Sequence, residues 1–137
     1  MKLIIAILIL IVSDAMARNI DLEGKTKMMM DAIESCKAST GASDLEIIHL
    51  MMHKQLETKE GKCMSNCFYE TIGMLKDGKL NKEGVFAWGN SMGAPKEIIS
   101  KITEECEEIT DPDICESGMK IGNCLEKATM KHALNFD

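Results

Sequence analysis

Aromatic side chains are scarce in this chain of 137 residues, with one Trp, one Tyr and three Phe. Proline occurs twice, at Pro95 and Pro112, so little outside the starts of two segments opposes helix formation. Alternating β-branched runs are nearly absent, which argues against a sheet protein. No run of Lys and Arg offsets the acid excess, 16 basic against 22 acidic side chains and a net charge of −6. A nucleic-acid binder is therefore set aside. No Asn-x-Ser/Thr acceptor is present, so N-glycosylation is not expected. What the chain has is apolar content, 45% of its residues, which is too much for a disordered segment. Its length suits one small domain.

One long apolar run exists, Leu3 to Val12. It is about half of the roughly 20 residues that cross a bilayer. Lys2 precedes it and Ala15-Met16-Ala17 follows, the layout of a cleavable export signal. Residues 1–17 are read as a signal peptide, with cleavage before Arg18 and a single domain over 18–137. Cleavage removes Lys2 and Asp14, one charge of each sign, and leaves the net charge at −6. The product is expected in extracellular fluid, with no membrane insertion. All six cysteines remain, and an even number in an oxidising compartment points to three disulfides rather than a metal cluster.

Apolar residues recur at spacings of three and four, so the expected fold is all-α, a compact bundle of about six helices. The first spans about Ile20 to Lys37, with Leu22, Met29, Ile33 and Cys36 on one stripe. Ser43 and Glu46 form a capping box for a second helix ending near His53. Its stripe is Leu45, Ile48 and Met52, with Ile47, Leu50 and Met51 adjoining. The third, about Glu57 to Lys76, carries Cys63, Cys67, Phe68, Ile72 and Leu75 and stops at Asp77-Gly78. A short fourth follows Asn81 with Val85, Phe86 and Trp88. The fifth starts at Pro95 and aligns Ile98, Ile99, Ile102, Cys106 and Ile109. The sixth takes Asp111 as N-cap and Pro112 as first helical residue, with Ile114, Ile121, Leu125 and Ala128 inward.

Helix geometry restricts the disulfides. Cys63 and Cys67 lie one turn apart with Cβ atoms about 5–6 Å from each other, beyond the roughly 3.8 Å of a bridge. Cys115 and Cys124 point to opposite sides of the sixth helix. Excluding both bonds leaves ten of fifteen pairings open.

The spacing Cys36-x26-Cys63-x3-Cys67-x38-Cys106-x8-Cys115-x8-Cys124, the x3 gap and the two x8 gaps above all, resembles the six-cysteine signature of insect odorant-binding and pheromone-binding proteins. The resemblance covers the whole mature chain, including LKDGKLNKEG between the third and fourth helices. It implies an interlocked pairing, Cys36–Cys67, Cys63–Cys115 and Cys106–Cys124, around a central apolar pocket. Such bridges let a small bundle keep a cavity that unlinked helices would tend to collapse. The resemblance also implies a tail after the sixth cysteine that folds over the pocket and loosens in acid, with Leu134 and Phe136 as its apolar contacts. That tail is shorter than the one moth pheromone carriers insert into their cavities.

Catalytic machinery is missing from the sequence. A secreted phospholipase needs a Gly-rich calcium loop and a His beside paired cysteines, and neither occurs. His49 and His53 stand at i and i+4, yet HExxH requires Glu where this chain has Leu50, and two ligands are too few for zinc. No catalytic residue, metal or cofactor is assigned. The methionines say more: 12 in all, ten after cleavage, including Met28 to Met30, Met51-Met52 and Met64. Flexible, polarizable thioethers suit irregular apolar cavities, although core filling is their commoner use. The pocket-lining candidates are Met51, Met52, Phe68, Ile72, Leu75, Phe86, Trp88, Ile98, Ile102, Met119, Leu125 and Phe136, with the Trp88 indole N–H able to meet a ligand oxygen. His49, His53 and His132 are the pH-switch candidates, because histidine titrates in the relevant range.

The function read from these features is extracellular carriage of small hydrophobic, volatile or lipid-like molecules through aqueous fluid such as sensillum lymph. The partners are that ligand and a membrane receptor for the loaded form, and the protein is expected as a monomer or weak homodimer. The alternatives are a non-olfactory secreted sequestering protein of the same fold, salivary or reproductive, and a surface-acting protein-interaction module.

Overall fold

Between residues 2 and 40 nothing forbids a helix, since proline is absent and Gly24 is the single glycine. The computed structural model describes residues 2–133, and for 11–22 and 133 their backbone alone. It places the whole stretch in one helix, α1 (Lys2–Thr40), ended by Gly41 at φ +74°, the left-handed cap glycine adopts without a Cβ clash. The sequence reading began this helix at Ile20 because it stopped at an expected cleavage point, which is not a helix breaker. Its apolar start stays outside the packing: Leu3, Leu8 and Leu10 are more than half exposed. The first fully buried side chain among the described residues is Ala32, one turn before buried Cys36. Leu22 and the small residues of the cleavage motif lie outside the described side chains, and Leu134 and Phe136 outside the described residues.

Helix α2 (Asp44–Met51) starts with the expected capping box. Glu46 N–H donates to Ser43 Oγ at 3.3 Å, and Ser43 N–H to Glu46 Oε2 at 2.6 Å. Glu46 also accepts from Thr58 Oγ1, whose own oxygen caps α3 (Lys59–Thr71) by accepting from Gly61 N–H at 3.0 Å. One carboxylate thereby joins the starts of two helices. The stripe expected on α2 is corrected: Leu45, Ile48 and Met52 face solvent, and Leu50 is the side chain that points inward. Eight residues hold too few turns for periodicity to pick out the buried face.

Helix α3 is also shorter than expected, ending at Thr71 rather than near Lys76. Leu75–Lys76 (β1) pairs antiparallel with Lys79–Leu80 (β2). Asp77 and Gly78 between them both have positive φ, 52° and 72°, the requirement of a type I′ turn. Asp-Gly is here a hairpin turn and not the end of a helix. Ser117 Oγ donates to Gly78 O at 2.6 Å, which fixes the turn to the last helix.

Helix α4 (Lys82–Ser91) follows Asn81 as expected, although Asn81 Nδ2 donates to Gly73 O at 3.0 Å instead of capping it. Helix α5 (Lys96–Cys106) follows Pro95. Helix α6 (Ile114–Ala133) begins two residues later than read from Asp111-Pro112. Asp111 Oδ1 accepts from Asp113 N–H at 2.9 Å, while Asp113 Oδ1 takes the N–H groups of Cys115 and Glu116 at 2.8 and 3.2 Å. Asp113 is the cap because its carboxylate reaches the first helical donors.

The three bridges are Cys36–Cys67, Cys63–Cys115 and Cys106–Cys124, the pairs the resemblance implies. They tie α1 to α3, α3 to α6, and α5 to α6. Between α3 and α6 the approach is close: a Cβ on Gly118 would collide with Asn66, and one on Gly122 would fall 2.5 Å from Tyr69 Cε2. The core gathers Cys36, Met64, Ile99, Cys106 and Ile121, all essentially inaccessible to solvent, inside an all-α bundle of six helices among the described residues.

Candidate functional site

Helices α1, α2, α3, α4 and α6 do not close completely on one another. They line a partly open cavity of ≈ 400 Å³, within the roughly 300–1,000 Å³ typical of small-molecule sites. Met29 comes from α1, Leu50 and Met51 from α2, Phe68 and Tyr69 from α3 with Ile72 at its C-cap, Trp88 from α4, and Leu125, Glu126, Thr129 and Met130 from α6. Met74 and His53 complete the wall from connecting segments. Helix α5 contributes nothing to this lining; it packs behind α6 through Cys106–Cys124.

The wall has a dry end and a wet end. Phe68, Ile72, Leu125 and Leu50 are buried, and Phe68 meets Tyr69 edge to face with ring centroids 5.4 Å apart. At the other end Met51, Met130 and the His53 ring are about half exposed. Three polar side chains meet there. Tyr69 Oη donates to Glu126 Oε1 at 2.9 Å, and His53 Nδ1 lies 2.7 Å from the same oxygen. Burial first, and then the adjacent Glu126 charge, pushes the Tyr69 hydroxyl far above its ordinary range, so it stays a donor to the carboxylate. His53 reaches this position from a left-handed backbone, φ 55°, just past the end of α2. On the α4 side the Lys25 ammonium sits 4.5 Å from the Trp88 ring centroid and donates to Ser91 Oγ. It covers one face of the indole by a cation–π contact.

Of the pocket candidates, Met51, Phe68, Ile72, Trp88 and Leu125 line the cavity. Met52 does not, because it points to solvent beyond the end of α2. Leu75, Ile102 and Met119 are buried in the core instead, and Phe86 and Ile98 are partly buried against it. Phe136 lies outside the described residues. Met29, Leu50, Tyr69, Met74, Thr129, Met130, His53 and Glu126 also line it and are not among the pocket candidates; of these, the sequence reading places Met29 and Leu50 on or beside helix stripes and His53 among the pH-switch candidates. The i, i+4 relation of Leu125 to Thr129 was a usable signal for Thr129, but nothing local marks Glu126 as facing inward.

The histidines separate in role. His49 is half-buried on α2. His53 joins the cavity rim, and His132 Nε2 lies 2.7 Å from Glu105 Oε1, 27 residues away on α5. Lys131 reaches the same oxygen at 2.9 Å, and these two partners, Lys131 first, hold the Glu105 carboxyl below its usual range. Among the described residues no three His, Cys, Asp or Glu side chains converge as a metal site, and no helix is long and apolar enough to cross a membrane.

Known proteins share this fold. The sequence model of the PBP/GOBP family matches residues 21–128. General odorant-binding protein 19d of Drosophila melanogaster is 31% identical over 112 residues, 74% of this chain and 72% of the relative. The solved structure of the D. melanogaster odorant-binding protein dmelOBP28a superposes with a TM-score of 0.70 at 28% identity, covering 82% of this chain and 98% of that one. The blowfly (Phormia regina) fatty acid binding protein OBP56a, from the oral disk, gives a TM-score of 0.67 at 30% identity, with 80% and 94% covered. Family match, sequence relative and superposed structure agree, and the chain belongs to the PBP/GOBP family of odorant-binding proteins.

Proposed function

We propose that this protein is an extracellular carrier that takes up a small hydrophobic molecule in its cavity and moves it through aqueous fluid without covalent chemistry. The observation that carries the reading is the apolar cavity of ≈ 400 Å³ among five helices, in a bundle whose bridges join α1, α3, α5 and α6. Burial of ligand surface supplies affinity at roughly 25 cal/mol per Å², less the cost of immobilising the ligand. A relative described as a fatty acid binding protein supports a ligand with a long apolar chain. Secretion belongs to the same proposal: Leu3 to Leu10 are exposed and add nothing to the core, as suits a leader that is removed before Arg18. Delivery to a membrane receptor by a monomer or weak homodimer completes it.

Acid-triggered release is also part of the proposal, with a cause that differs from simple histidine protonation. His53 and His132 each face a carboxylate, so charging the imidazoles strengthens those contacts. Of the two carboxyls, Glu105 is held below its usual range by Lys131 and then His132, so loosening of that contact follows its protonation in acid.

The test is displacement of a fluorescent apolar probe from oxidised protein exported by cultured cells, whose N-terminal residue is expected to be Arg18. Saturable binding with a Kd of micromolar order, lost on reduction, is the expected outcome. Absence of saturable binding overturns the carrier reading.

A further inference from the structure

The wet end of the cavity is built mainly from hydrogen-bond acceptors. Glu126 Oε1 takes both the Tyr69 hydroxyl at 2.9 Å and His53 Nδ1 at 2.7 Å. Among the described residues neither contact uses its second oxygen, Oε2. With its Nδ1 proton directed at Glu126, a neutral His53 ring presents Nε2 as an acceptor. Tyr69 has committed its single proton and keeps only lone pairs. The Glu126 side chain is 17% exposed, so a charge beside it is less screened than at the open surface. Among the described residues no lysine lines the cavity itself: Lys127 is exposed and borders an outer cleft that shares His53, Glu126 and Met130 with the rim, and Lys25 covers the Trp88 ring of the wall.

From this arrangement we infer that the cavity selects amphiphilic ligands whose polar end donates a hydrogen bond, a hydroxyl or an ammonium, and discriminates against carboxylates of the same chain length. The apolar chain lies towards Phe68, Ile72 and Leu125, and the donor meets Glu126 Oε2 at the rim. A fatty-acid carboxylate in that place faces a like charge and lone pairs, and leaves both sets of acceptors unpaired. Glu126 is thus the specificity-determining residue, and Tyr69 and His53 position its carboxylate. The inference rests on the carrier reading and narrows its ligand class.

The experiment compares 1-dodecanol, dodecylamine, dodecanoate and dodecyl methyl ether as competitors of one fluorescent apolar probe at neutral pH. The protein is wild type, Glu126→Gln or Tyr69→Phe. For wild type, the alcohol and amine should compete at least about tenfold better than dodecanoate, in line with sites built around a ligand O–H or N–H, and the ether should fall between. Glu126→Gln should bring alcohol and acid within about twofold of each other, read as the ratio of their competition within that variant, with an unaltered circular dichroism spectrum showing that the fold is intact. Tyr69→Phe should narrow the preference less, read in the same way. Amine above alcohol identifies the ammonium as the preferred donor, and the reverse order identifies the hydroxyl. Wild type that binds dodecanoate as well as dodecanol, or a Glu126→Gln variant that keeps the full preference, overturns the inference and leaves the carrier reading standing. A probe that never binds overturns both.

Discussion

The two walls of the cavity are held in different ways. On one side α3 and α6 share the Cys63–Cys115 bridge, the Lys62–Glu116 ion pair, the Tyr69–Glu126 hydrogen bond and the close approach allowed by Gly118 and Gly122. On the other, α2 buries only Leu50 of its eight residues and carries no cysteine. Its polar attachment runs through the Ser43–Glu46 box, the Thr58 hydroxyl and the Lys37–Asp44 ion pair to α1. Covalent and steric restraint is concentrated on the wall that carries Phe68, Ile72 and Leu125, whereas the wall beside the rim depends on a few exposed hydrogen bonds. Low local stability of this kind belongs to elements that open for ligands.

The contrast can be broken most forcefully at the bridge. Replacing Cys63 and Cys115 together by Ser should lower stability by about 2–5 kcal/mol, the usual cost of losing a disulfide in a small secreted domain, and chemical denaturation followed by circular dichroism measures it. Next comes Gly122→Ala, which places a methyl carbon 2.5 Å from Tyr69 Cε2. Overpacking there should cost about 1–3 kcal/mol, and displacement of Tyr69 should also weaken probe binding in a titration. Ser43→Ala acts on the lighter wall and should cost about 1 kcal/mol through loss of the cap. Faster amide exchange over residues 44–51 with α6 unaffected would sharpen the comparison; equal exchange in both would contradict it.

The smallest effect is that of pH. Glu46 is held below its ordinary range, first by the Thr58 hydroxyl and then by the Ser43 backbone, and Glu105 by Lys131 and His132. A carboxyl whose folded pKa is depressed stabilises the fold above its unfolded value, near 4.3 for Glu, and that contribution disappears as pH falls through the lower folded value. Stability should therefore hold from pH 7 to about 5 and decline below about 4. Glu105 is exposed and Glu46 half-buried at the surface, so the change should be modest and reduced further by salt. A midpoint of thermal unfolding that falls mainly between pH 7 and 5.5 would assign the effect to histidine instead.

Much of the fold is legible along the chain because its determinants are short-range. The capping box at Ser43 and Glu46, the start at Asn81 and the apolar stripe of α5 are all read from residues within one or two turns. Misreadings arise where one local signal serves two structures. Asp77-Gly78 suits a helix end and a type I′ hairpin equally, and pairing of Leu75 with Leu80 decides between them. Asp111 and Asp113 both qualify as caps, and the direction of each carboxylate settles which donors it takes.

The candidate site is less legible. Met51, Phe68, Ile72, Trp88 and Leu125 carry the same apolar signal whether they face a cavity or a packed core. Ile102, Met119 and Leu75 have that signal too, yet they are core. Glu126 is the clearest case, since an acidic residue on an amphipathic helix reads as a solvent-facing one. It lines the cavity because Tyr69 and His53, 57 and 73 residues before it in the chain, bring a hydroxyl and an imidazole to its oxygen. Helix periodicity, capping chemistry and cysteine spacing were determined by the sequence itself, since they depend on neighbours a few residues apart or on a family pattern. Which apolar faces meet, which leave a gap, and which polar groups turn into it were decided by the tertiary structure, because packing and hydrogen bonding act between side chains that the chain brings together only when it folds.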